Sequence, residues 1–93
     1  MKSGIELITE ERQRQISVEG WTPDHDYQHD EQEIRKAAVW YAMSEYEREA
    51  YLMSGETLWM WEQKWFKPTP NKIGELIKAG ALIAAEIDRL QNC

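Results

Sequence analysis

Cysteine is nearly absent from this 93-residue chain and basic residues are outnumbered by acids, and each shortage closes off a class of protein. A single cysteine, Cys93, allows no intrachain disulfide and no Cys/His zinc pattern, so a reducing, cytoplasmic setting is expected. Eleven lysines and arginines stand against 17 acids, a net charge of −6. That balance excludes a nonspecific nucleic-acid coat, which needs clustered cations to neutralise phosphate. Long hydrophobic runs are missing too: the longest, Ala79 to Ala85, is broken by Gly80 and falls far short of the ~20 apolar residues that span a bilayer. The first residues lack a basic stretch followed by an apolar one, so no secretory signal and no membrane partner are expected. No GxSxG, P-loop or GxGxxG occurs, and no catalytic residue is assigned.

What remains is helical pattern. One domain over residues 1–93 is expected, all-α, as a small bundle of three main helices with a tryptophan-rich loop packed across it. Ser3-Gly-Ile-Glu6 reads as a capping box that opens a first helix running to about Val18, with Gly20 as its stop. Ile5, Leu7, Ile8, Arg12, Gln15 and Ile16 form its loose helical stripe. The second helix is predicted from Thr22-Pro23 to Leu52, on the stripe Tyr27, Ile34, Ala37, Ala38, Tyr41, Ala42, and Ser54-Gly55 ends it. Residues 55–71 form a connection that Pro68 and Pro70 keep from being helical. The last helix is predicted from Pro70-Asn71 to about Leu90. There Ile73, Leu76, Gly80, Ile83, Ile87 and Leu90 recur at the a/d spacing of a packed seam, and alanines beside them let a second helix approach closely. Self-association through this helix is expected, giving a homo-oligomer.

Three constellations can carry function. His25, His29 and Glu33 fall at i, i+4 and i+8 of the predicted second helix, and Asp26 or Glu86 can complete a shell for a divalent metal. The same acids serve equally as favourable charges at a helix N-terminus, each worth about 0.3–1 kcal/mol, with no ligand required. A second arrangement brings Glu86 and Asp88 of the last helix toward Asp26, Asp30 and Glu33, a carboxylate set suited to Mg²⁺ and a nucleotide. No resident cofactor is expected. Third, Trp59, Trp61, Trp65 and Phe66 can anchor a protein partner or stack on bases, with Lys64 and Lys67 among them. Their other use is core closure, and the expectation is that most of the rings go inside and one or two remain for a contact.

The strings Glu19-Gly-Trp-Thr-Pro-Asp-His-Asp26 and Lys78-Ala-Gly-Ala-Leu-Ile-Ala-Ala-Glu-Ile-Asp-Arg-Leu90, with Trp65-Phe-Lys-Pro68 between them, resemble a family of short, uncharacterised bacteriophage and prophage proteins. That resemblance covers most of the chain and implies a phage accessory protein in the bacterial cytoplasm, with no activity that carries over. The acidic charge and the tryptophan-rich loop add the expectation that it acts without catalysis, by binding a macromolecule such as a host or defence factor. The acid-rich helices are also faintly similar to the all-α, Mg²⁺-dependent nucleotide pyrophosphohydrolases of the MazG type. However, Glu45-Tyr-Glu47-Arg-Glu49 and Glu86-Ile-Asp88 depart from that family's ExxE and ExxD spacing.

Overall fold

The computed structural model describes residues 1–19 and 32–91. Among these it is all-helical: α1 (Gly4–Ser17), α2 (Glu33–Ala42), α3 (Glu45–Met53), a 3₁₀ turn (Gln63–Trp65) and α4 (Lys72–Gln91). No described helix is long and apolar enough to cross a membrane.

α1 starts where the capping box places it. The Ser3 hydroxyl accepts from the Glu6 N–H, and the Glu6 carboxylate accepts from the Ser3 N–H at 3.1 Å. That bond to the Ser3 backbone, with help from its hydroxyl, holds the Glu6 carboxyl below its ordinary range.

The predicted second helix is broken at two points within its span, Gln32 and Met43, while its predicted end near Leu52 agrees with that of α3; residues 22–31 lie outside the described residues. Gln32 takes a left-handed conformation with φ 72°, so α2 begins at Glu33 and no continuous helix passes through position 32. Downstream, Met43 is extended and a second capping box, Ser44 with Glu47, starts α3 afresh. The hydroxyl of Ser44 accepts from the Glu47 N–H, and the Glu47 carboxylate accepts from the Ser44 N–H at 2.8 Å. A Ser or Thr cap is worth about 1 kcal/mol, enough at this point to turn one amphipathic stripe into two helices.

α4 is the central strut, with α2 and α1 both packed along it. Ile34, Ala37, Ala38, Trp40 and Tyr41 of α2 meet Ala79, Leu82 and Ala85 of α4, and Trp59 closes the cluster. The alanines of α4 let α2 come close. α1 crosses at Gly80, where a Cβ would stand 2.5 Å from Ile8 Cδ1, so the absent side chain makes room for the crossing. Polar ties reinforce that crossing: Arg12 with Asp88 at 3.2 Å, and Lys78 with Glu11 at 3.6 Å.

The face of α4 differs from the packed seam predicted for it. Inside lie Ala79, Ala81, Leu82, Ala85 and two charges, Glu75 and Arg89; outside lie Ile73, Leu76, Ile83, Ile87 and Leu90. Its a/d spacing identified residues that share a face, but apart from Ile8 at Gly80 that face is left exposed among the described residues.

Candidate functional site

The tryptophan-rich connection lies against the bundle rather than apart from it. Trp59 is buried, and its indole N–H donates to the Glu62 carbonyl at 3.1 Å. Its ring meets Tyr41 edge-on at 5.6 Å, Trp61 at 5.2 Å and Phe66 at 5.3 Å between centroids. These edge-to-face contacts add to plain area burial because the positive ring edge meets the negative ring face. Tyr41 ties the far side of the loop, its hydroxyl accepting from the Lys67 N–H at 2.8 Å. Burial pushes the Tyr41 phenol up, so it stays protonated at neutral pH.

Trp61 and Phe66 are half-buried against the same cluster. Trp65 stands apart, 50% exposed, with the Lys64 ammonium 5.3 Å from its ring centroid. It is one of the residues that line a small groove open to solvent. The end of α1 supplies one wall through Glu11, Arg14, Gln15 and Glu19; the aromatic loop supplies the other, and Tyr41, Leu82 and Lys78 also line it.

Charges in that wall are already engaged. Arg14 donates two hydrogen bonds to Glu11 at 2.8 and 2.9 Å and lies 3.5 Å from Glu19. Burial alone raises the Glu11 carboxyl, but Arg14 and Lys78 outweigh it and hold the group below its ordinary range. Gln15 is almost fully buried; its amide donates to Glu11 at 3.2 Å, while its Oε1 accepts no hydrogen bond among the described residues.

The second polar centre, at the junction of α2, α3 and α4, has no counterpart in the sequence reading. Buried Arg48 donates to the Trp40 and Met43 carbonyls at 3.0 and 2.7 Å and reaches Glu75 at 3.2 Å. Its guanidinium also lies 5.2 Å from the Phe66 ring centroid. Lys72 donates to the Tyr41 carbonyl at 2.8 Å, to the Met43 carbonyl, and to Glu75 at 3.0 Å. Two cations thus satisfy the last carbonyls of α2, where the helix dipole is negative, and Glu75 balances them. This centre is structural: its donors and acceptors face one another. The only sequence signal was Glu75 at i+3 from Lys72.

Of the predicted metal set, His25, Asp26 and His29 lie outside the described residues, as does Asp30. Glu33 sits in the first turn of α2, and the left-handed Gln32 interrupts the helix face it was expected to share with His29. Glu86 accepts from Arg89 at 2.6 Å, and Asp88 is paired with Arg12. Among the described residues no three His, Cys, Asp or Glu side chains gather as a metal site would require. Compared with protein-family models, with curated proteins and with solved structures, the chain finds no match.

Proposed function

We propose that this chain is a non-enzymatic accessory protein of a bacteriophage or prophage, acting in the bacterial cytoplasm by binding a protein partner. The observation that carries this reading is Trp65, the ring that the loop leaves half-exposed beside a groove while Trp59 is buried in the cluster. Tryptophan at the edge of a depression is the residue type that most often dominates a protein interface, because one rigid ring desolvates a large area at little entropic cost. The net charge of −6 favours a partner with a basic rim and speeds encounter with it. In the groove wall Arg14 is paired with both Glu11 and Glu19, so the wall can present a fixed pattern to that partner.

Trp65→Ala tests the reading. Half-exposed, Trp65 contributes little to folding, so the variant keeps its helical content while its affinity for a partner captured from bacterial lysate falls ~30-fold or more by biolayer interferometry. Unchanged affinity removes Trp65 from the contact. A thermal shift that needs both Mg²⁺ and a nucleotide would replace the binding reading with the hydrolase one.

A further inference from the structure

From Ile73 to Leu90, every residue of α4 that is exposed is isoleucine or leucine: Ile73, Leu76, Ile83, Ile87 and Leu90, each between 48% and 62% accessible. The charged Glu75 and Arg89 are turned inward. A lone apolar side chain on a surface is ordinary, whereas five in line on one helix are not. At 1.5 Å per residue the row is about 25 Å long. Its only break, at Gly80, is filled by half-buried Ile8 of α1, so the surface stays apolar throughout.

We infer that this row is the interface of a twofold homodimer in which α4 pairs antiparallel with α4 of a second copy. The argument for a second copy is the register. The spacing of the row, though not the identity of its residues, is the same in both directions about the point between Ala81 and Leu82. Antiparallel pairing there sets Ile73 against Leu90 of the partner subunit, Leu76 against Ile87 of the partner subunit, and Gly80 with its Ile8 cover against Ile83 of the partner subunit. A twofold interface requires this self-complementarity, since each contact must occur twice. The antiparallel sense also lays the positive start of each helix beside the negative end of the other, whereas a parallel pair would juxtapose like ends.

Size fits as well. The five side chains offer on the order of 500 Å² per protomer, close to the ~600 Å² a side of the smallest specific interfaces, and Ile8 adds to it. Two chains of charge −6 repel each other, yet no charged residue lies in the row. Association therefore strengthens as salt screens the repulsion. This inference is independent of the Trp65 contact.

Sedimentation equilibrium of the full chain, from low micromolar to about 200 µM, tests it. The expected result is a species of twice the 11.0 kDa protomer mass, more populated at high salt, that reverts to protomer in Leu76→Glu/Ile87→Glu. A second variant covers the case in which the glutamates disturb folding. In a Cys93→Ser background, Leu76→Cys/Ile87→Cys cross-links into dimers on oxidation, and Leu76→Cys alone does not. A monomer at every concentration overturns the inference and leaves the face to a different chain. Cross-linking through Leu76→Cys alone overturns the antiparallel register, and a glutamate variant that remains folded and dimeric removes α4 from the interface.

Discussion

Arg48→Met is expected to bring the protein to the edge of unfolding. Methionine keeps the volume and loses the charge, so Glu75 is left buried with Lys72 as its remaining cation, and the Trp40 carbonyl loses its side-chain donor. Removing one partner of a buried pair costs about 3–5 kcal/mol, because the stranded charge keeps its desolvation penalty without its attraction. For a domain of this size that is a fall in Tm of about 12 °C or more, out of a total stability of roughly 5–15 kcal/mol. Circular dichroism melts measure it directly. Arg48→Met/Glu75→Leu should recover most of the loss, since an apolar pair of similar volume carries no desolvation penalty. Failure of the double variant to recover would assign the loss to the capping of the α2 carbonyls instead. The same centre sets a pH dependence. Burial raises the Glu75 carboxyl, but the hydrogen bond from Lys72 and the charges of Arg48 and Lys72 outweigh it and hold the group below its ordinary 4.5. A carboxyl depressed in the folded state stabilises fully above its unfolded pKa, and that stability is lost as pH falls through the folded value. Acid melts should therefore show stability declining below about pH 4.5, with a shallower decline in Arg48→Met/Glu75→Leu.

Trp59→Ala is the second large effect. The ring is 6% exposed and touches Tyr41, Trp61 and Phe66, so its removal opens a cavity where the loop meets α2. Deleting a buried aromatic costs about 3–5 kcal/mol, the spread depending on how far the surroundings collapse. Two of its partners, Trp61 and Phe66, belong to the loop itself, so much of the loop should loosen with it. Near-UV circular dichroism should lose most of its tryptophan signal at temperatures where far-UV helicity persists, and urea midpoints should drop. Trp65→Ala, by contrast, should leave both within error. Equal losses in the two variants would mean that the buried ring is not the keystone of the loop.

How much of this was legible in the sequence follows from what each signal encodes. The box at Ser3 and Glu6 was legible because a cap is local: it is complete within four consecutive residues. The identical signal at Ser44 and Glu47 was present but lay inside one unbroken apolar periodicity, and periodicity alone does not show that the backbone turns between two helices sharing it. The face of α4 was legible as a set of residues and not as a position in space; the a/d spacing is the same whether the covering helix belongs to this protomer or to another. Arg48 and Glu75 were illegible as buried residues for a different reason. A charge goes inside only when a partner from a distant part of the chain meets it, and Arg48 is 27 residues from Glu75. The aromatic loop was legible as packed on the domain, but which of its rings turned outward depended on the 3₁₀ turn at Gln63–Trp65.

The polar junction has one more consequence, for how the molecule comes apart. α3 buries a single residue, Arg48, and shows Tyr46, Leu52 and Met53 to solvent; its other hold on the body is the edge of Tyr51 against Trp40. A helix held by an oil-like face detaches when the core melts, whereas a helix held by charge can detach while the core stays shut. Glu45–Met53 should therefore open more readily than α2 and α4, and its amides should exchange with solvent deuterium well before theirs. Acidification should widen that gap, because protonating Glu75 slackens the grip on Arg48 without touching Leu82 or Ala85 beneath it. In mechanical terms the body is a clamp of aliphatic and aromatic side chains, and α3 is an arm fastened to it by an electrostatic latch.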